Sequence, residues 1–365
     1  MKDDIDDNED FDIYMKICKV LGYAPSNSFL YRIYSFCVMF LGNACTLSIL
    51  IDMWLYLGDL EHVMMSARIG LPLSISTCID IFIKLRNYDM REVIKHSTNF
   101  TTIDSGTGAL IPKFRYLVTR GFPLAYSIHC LFTIITIITK DGRPLAMNSW
   151  FPYDTSYTPV YQFTVIAQIV ATGIHTYRFV VFLGIYFTLV MIACSQLEQL
   201  RALILGNMKN SQIELNQCIR YHQRILEFIN HMEDVFNITL LSQLLFIMGS
   251  VCFSAFSIVN CNGNTELLGE AIVTIVVMLE ILFIYCWSGE QLMQKSKELE
   301  EAIWESNWVG APVVFQQCVL FVGAASSKEL KFTAGKFVPM SNNTMLNILQ
   351  SCYSYLMCLM SMSSE

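Results

Sequence analysis

Charge is scarce in this sequence. Only 15% of its 365 residues are Asp, Glu, Lys or Arg, while 54% are hydrophobic. Soluble domains usually carry about 25% charged residues. With a mean hydropathy of +0.45, this excludes an ordinary water-soluble globule. Basic residues do not cluster with aromatics, so nothing supports a nucleic-acid partner. A basic leader followed by a short apolar core is also lacking, so no cleavable signal peptide is expected. Enzyme signatures are missing: there is no GxSxG, no HExxH and no phosphate loop. The six His are scattered without acid or Cys at metal-ligand spacing. Neither an enzyme nor a bound cofactor or metal is expected. Cysteine is plentiful at 13 residues, but CxxC is absent. Most cysteines fall inside apolar stretches, where the thiol packs as a small polarizable group. The gap from Lys140 to Tyr161 holds none, so no disulfide framework is expected.

What the chain does have is seven apolar stretches near or above the roughly 20 residues a membrane-spanning helix needs. They run roughly Tyr34 to Leu57, Met65 to Leu85, Gly121 to Thr139, Gln162 to Leu205, Ile213 to Ile258, Leu267 to Trp304 and Met340 to Met362. Of the 24 Lys and Arg, 20 lie in the N-terminal segment, in the gaps after the second, fourth and sixth stretches, or at the ends of the stretches that border those gaps. Cation-rich short loops stay cytoplasmic. The N-terminus is therefore expected inside and the C-terminus outside, opposite to a G-protein-coupled receptor. A transporter would show inverted repeats or broken spans, and neither is visible.

The division that follows has four parts. Residues 1–33 are an acidic cytoplasmic segment, with seven acids from Asp3 to Asp12 that read as a solvated tail. Residues 34–206 hold the first four spans. Residues 207–339 hold the fifth and sixth spans and a cytoplasmic anchor, and 340–365 form the last span. The fourth, fifth and sixth stretches are too long for a bilayer and must project into the cytoplasm. Leu292, Ser296, Leu299 and Ile303 share one helix face there. Pro312 suits a helix start, and residues 313–325 are apolar but too short to span, which predicts a buried cytoplasmic helix. The outer gap, with Trp150, Phe151, Tyr153 and Tyr157, reads as an ordered lid or as an interfacial aromatic belt. Sequons at Asn99, Asn237 and Asn342 lie at inner or intramembrane positions and should stay unglycosylated.

The last span is unusual. From Phe337 to Ser364 it has no charge, yet Asn342, Asn343, Asn347, Gln350, Ser351, Ser354 and Ser361 recur in it. Unsatisfied amides in hydrocarbon cost several kcal/mol. They must either bond neighbouring helices or face a water-filled conduit.

Four motifs in the C-terminal third carry a resemblance. Tyr285-Cys286-Trp287-Ser288-Gly289-Glu290 is followed by Glu305-Ser306-Asn307-Trp308. Then come Leu330-Lys331-Phe332-Thr333-Ala334-Gly335-Lys336-Phe337 and Tyr353-Ser354-Tyr355. In order and spacing these resemble the insect odorant receptor family. The resemblance implies an all-α membrane protein with seven transmembrane helices and a cytoplasmic helical anchor. It further implies an odorant-tuned subunit of a ligand-gated, nonselective cation channel in the plasma membrane of an olfactory neuron dendrite. Such subunits join the odorant receptor co-receptor in a heterotetramer around one pore. The short loop between the fourth and fifth stretches lacks the co-receptor's insertion.

The same resemblance implies a pocket for a small volatile organic ligand in the outer halves of the second, third, fourth and sixth spans. Its candidates are Leu71, Ser74, Ile75, Thr133, Ile134, Ile137, Phe163, Ile166, Ala167, Val170, Ile275 and Leu279. The gate would map onto Cys358, Ser361 and Met362, with Glu365 at the outer mouth. Cys358 and Met362 depart from the branched apolar pattern of the co-receptor's gate. Related insect gustatory receptors share the scaffold and are the alternative.

Overall fold

Backbone amides cannot be left unpaired in lipid, so long apolar segments become helices, and every apolar stretch read from the sequence is one. The computed structural model describes residues 10–23, 28–100, 106–139, 144–207, 212–259, 265–306, 308–327 and 329–363. In chain order the helices are α1 (Asp12–Val20), α2 (Phe29–Leu55), α3 (Leu60–Ser97), α4 (Leu110–Tyr116) and α5 (Phe122–Thr139). They continue with α6 (Val160–Asn207), α7 (Gln212–Val259), α8 (Thr265–Glu305), α9 (Val313–Ser326) and α10 (Asn342–Ser363). A π-helical turn over Leu117–Gly121 joins α4 to α5. A two-stranded hairpin, β1 (Thr333–Ala334) with β2 (Val338–Pro339), precedes α10.

Six of these helical stretches are long and apolar enough to cross a membrane: α2, α3, α4 through α5, α6, α7 and α8. The helix α10 has the length, at 22 residues, but its amides and hydroxyls dilute its hydropathy. The helices α6 and α7 have 48 residues each and α8 has 41. At about 1.5 Å per residue they reach roughly 60–70 Å, twice the bilayer core.

The projecting inner ends pack together. Leu292, Ser296, Leu299 and Ile303 are all buried, and α9 lies on this face through Phe315 and Val319. Ion pairs close the anchor: Lys295 to Glu198 at 3.2 Å, and Lys297 to Glu329 at 2.9 Å. Lys331 and Lys297 together hold the Glu329 carboxyl down to about 2. In the membrane half, α3 presents Leu71, Ile75, Ile79 and Phe82 at spacings of four, four and three, one face of a helix. Phe82 meets Phe182 of α6 and Phe236 of α7, with ring centroids 5.7 and 5.9 Å away.

Two local features differ from the sequence reading. Beyond residue 9 the N-terminal segment is not a solvated tail. Phe11 and Tyr14 are fully buried, and the Tyr14 ring fills the space left by Gly184 of α6. The acidic run masks a short amphipathic helix whose apolar face docks on the bundle, while Asp10 pairs with Arg115 at 3.6 Å. The helix α3 also runs past Leu85 to Ser97, bending at Arg86, whose backbone is not helical (φ −116°, ψ 21°).

Docking of α1 makes a direct prediction. Burial pushes the Cys18 thiol up to about 12, and the thiolate is the reactive species. At pH 7.5 a maleimide should leave Cys18 unmodified in the folded protein and label it after denaturation, as read by peptide mass spectrometry. Labelling of Cys18 in the folded state would show that α1 is undocked.

Candidate functional site

The helix α3 packs on α6 and α7, and α8 packs on the same two helices, which also touch each other. The candidate ligand residues distribute unevenly over these helices. On α3, Leu71 is half-buried and lies against Gly249 of α7, Ser74 is buried and Ile75 sits in the core. The Ser74 hydroxyl donates to the Gly70 carbonyl at 2.7 Å. On α8, Ile275 and Leu279 are half-buried. Ala167 of α6 is half-buried, whereas Phe163, Ile166 and Val170 are exposed on the same helix.

The helix α5 stands apart. It leans on α6 through Tyr126, whose hydroxyl donates to the Ile169 carbonyl at 2.6 Å. None of its side chains is buried. Thr133 and Ile137 are half-buried, Ile134 is exposed, and the Thr133 hydroxyl donates to the His129 carbonyl of its own helix. The structure thus buries Ser74 and Ile75, leaves Leu71, Thr133, Ile137, Ala167, Ile275 and Leu279 half-buried, and exposes Ile134, Phe163, Ile166 and Val170.

The outer segment 144–159 is tied down. Gln168 of α6 reaches up to it: Nε2 donates to the Met147 carbonyl at 3.0 Å and to Ser149 Oγ at 2.7 Å, and Oε1 accepts from the Ala146 N–H at 3.1 Å. The Trp150 N–H donates to the Ser48 carbonyl of α2, and the Tyr161 hydroxyl donates to the Pro144 carbonyl. These bonds hold it over the outer ends of α2 and α6.

Sequence reasoning missed the charges inside the spans. Arg178 of α6 and Asp80 of α3 form an ion pair with both side chains at most 1% exposed. The Tyr23 hydroxyl also donates to Asp80, and the Arg178 guanidinium lies 5.6 Å from the Tyr23 ring centroid. Gly42 of α2 leaves room for the guanidinium, which also donates to the Val38 carbonyl at 3.3 Å. Beside it, His175 Nε2 and Thr46 Oγ1 are 3.1 Å apart, and Ser76 donates to the His175 carbonyl. Nearer the outside, Arg68 of α3 bridges to Glu270 of α8 at 2.5 Å. Asp52 of α2 receives His62 and Ser66 of α3. The available signal was the charges themselves, since an ionisable residue at membrane depth demands a partner. Among the described residues no group of three His, Cys, Asp or Glu could hold a metal ion.

The helix α10 is two-faced. Thr344, Ile348 and Cys352 are buried, and α10 packs on α7 and α8. Asn343, Asn347, Gln350, Ser354, Met357 and Ser361 recur at spacings of four, three, four, three and four, and all are exposed. That is one stripe along the helix, polar at every position but Met357. Cys358 is exposed beside it. The Met362 side chain and Glu365 lie outside the described residues. A cleft of about 600 Å³ opens at the inner end of α10, lined by Lys297, Glu329, Lys331, Asn343 and Asn347 among others.

The junction of α8 with α10 explains the motif that carries the resemblance. A Cβ on Gly289 would collide with the Met340 main chain, so glycine lets α8 pass directly beneath the start of α10. Glu290 then accepts the Asn342 N–H at 3.0 Å, and a carboxylate at a helix N-terminus is stabilising. The hairpin sits on α7: the Gly335 N–H donates to the Asn237 carbonyl at 2.9 Å, and Lys336 pairs with Asp234. Gly335 and Lys336 both have positive φ, 63° and 66°.

The model of the family described as 7tm odorant receptor matches residues 109–353. Odorant receptor 13a of Drosophila melanogaster is 25% identical over 262 residues, which are 62% of this chain and 61% of that protein. Odorant receptor Or2 of Anopheles gambiae is 22% identical over 247 residues, 63% of this chain and 64% of that protein. The chain thus matches about three fifths of the length of these curated relatives. Among solved structures, the insect olfactory receptor OR5 from Machilis hrabei in complex with eugenol superposes with a TM-score of 0.81 at 12% identity. The match covers 96% of this chain and 97% of that one. The all-α, multi-span fold is therefore the fold of that receptor, and with the family model matching most of its length this chain belongs to the 7tm odorant receptor family.

Proposed function

We propose that this chain is the odorant-sensing subunit of a ligand-gated, nonselective cation channel, assembled with co-receptor subunits around one pore in the plasma membrane. The observation that carries the reading is the polar stripe of α10. Asn343, Asn347, Gln350 and Ser354 are exposed on the face that the bundle leaves open. Amides on that face need water or another subunit, and a water-filled pore shared between subunits supplies both. The junction at Gly289 and Glu290 supports coupling, because α8 lines the ligand region in its outer half and touches the start of α10 in its inner half. A ligand that binds better when α8 is in the open arrangement would favour the open pore. Segment 144–159, fastened by Gln168, would act as the lid over the outer pocket. A gustatory-type role finds no supporting observation beside relatives that are odorant receptors.

Voltage-clamp recording of cells expressing this chain with and without the co-receptor, under an odorant panel, tests the proposal. A fast direct current is expected only with both subunits. A slow second-messenger response without direct current would overturn it. Within that assay, Asn347→Lys places a cation on the stripe and is expected to reduce the odorant-evoked cation current about tenfold or more at unchanged surface expression. An unaltered current would remove α10 from the pore.

A further inference from the structure

Arg68 continues the core stripe of α3 outward. It lies one turn beyond Leu71 on the face that carries Leu71, Ile75 and Ile79, where the pattern asks for an apolar residue. The residue is 5% exposed, and its Nε–H has no partner. Its bond to Glu270 crosses from α3 to α8, both of which pack on α6 and α7. Leu71 lies against Gly249 of α7, which by helix rise sets Arg68 level with the Ser250–Ser254 turn of that helix. Both serines are fully buried, and neither hydroxyl has a hydrogen-bond partner. Unmet donors at this density are costly, and they lie at the level just outward of Leu71 and Ile75 of α3.

We propose that Arg68, positioned by Glu270, is the polar anchor of the ligand site, and that the ligand is a small neutral carbonyl compound: a ketone, aldehyde or ester with an apolar body. This rests on the ligand-sensing reading above and adds the chemical class. The apolar residues below Arg68 take the hydrocarbon part, and the free guanidinium N–H takes an acceptor oxygen. The charge balance selects among acceptors. Glu270 already neutralises Arg68, so a carboxylate ligand would bring a second anion against Glu270, whereas a carbonyl adds none.

The test is binding to the purified heteromeric complex, which does not require channel opening. Six- to ten-carbon ketones, aldehydes and esters are compared with the alkanes and carboxylic acids of equal length by ligand-induced thermal stabilisation. The carbonyl compounds are expected to bind the wild type more tightly than either control series. Arg68→Met should weaken the carbonyl compounds about 10- to 100-fold and leave the alkanes unchanged. Glu270→Gln keeps Arg68 and should admit the carboxylic acids, a gain that a folding defect cannot produce. Equal binding of alkanes, carbonyl binding retained in Arg68→Met, absence of any carbonyl binding, or acids still excluded by Glu270→Gln would each overturn the proposal. Carbonyl binding without evoked current would leave the anchor standing and refute the channel reading instead.

Discussion

Arg178→Met is expected to destabilise the folded chain by about 3–5 kcal/mol, the cost of leaving a buried charge without its partner. The remaining Asp80 is 1% exposed, surrounded by core, with the Tyr23 hydroxyl as its other donor. Without the guanidinium the carboxylate keeps that one donor in an apolar core, and the effect is a large fraction of the total stability of many domains. The expected readout is loss of the full-length protein from the cell surface and a lower melting temperature in detergent. The double substitution Asp80→Leu with Arg178→Met should recover much of the loss, because replacing both members of a buried pair with apolar groups is often neutral or better. A single Arg178→Met variant with wild-type expression and melting temperature would mean that the pair contributes nothing. Because Tyr23 also loses its acceptor in the double variant, the N-terminal segment should become more open to protease while the bundle stays folded.

Gly289→Val should be the second most damaging change. The new side chain would meet the Met340 main chain, which cannot rotate away as a flexible side chain can. Forcing atoms into a packed contact costs about 1–3 kcal/mol. Here the cost falls on the joint between α8 and α10 and displaces the Asn342 N–H from Glu290. The expected result is a large loss of odorant-evoked current at substantially retained surface expression, with Glu290→Gln producing a smaller loss of the same kind. Alanine at 289 should be intermediate. Full currents from Gly289→Val would show that the close approach of the two helices is not needed for gating.

Much of the architecture was legible before any coordinates. The long polar-ended helices α6, α7 and α8, the short helix α9 and the buried face at Leu292, Ser296, Leu299 and Ile303 all follow from periodicity and length. Those signals are local, because a helix closes its own hydrogen bonds within one segment. The helix α1 escaped notice because nine residues with acidic flanks give too short a pattern, and its burial depends on Gly184 more than 160 residues away. The functional residues were harder still. Arg68, Asp80, Arg178 and Glu270 are charges within apolar runs that the sequence reading passed over, and which charge meets which depends on how helices far apart in sequence are laid side by side. Of the twelve ligand candidates, Ser74 and Ile75 of α3 are buried while Ile134, Phe163, Ile166 and Val170 of α5 and α6 lie at the surface, a distinction that hydropathy alone cannot draw.

The sequence by itself determined that this chain is a helical membrane protein, which way its cation-rich loops face, and that its last span is too polar for lipid. Each is a matter of transfer energy or backbone bonding within one stretch of chain. Only the tertiary structure decided that Asn343, Asn347 and Gln350 of α10 fall on one exposed stripe. It also decided that Gly289 is small because Met340 lies against it, and that Arg68, Asp80, Arg178 and Glu270 resolve into two pairs. Those facts are set by the packing of surfaces distant in sequence, where a match of shape and charge exists only once the helices are in place.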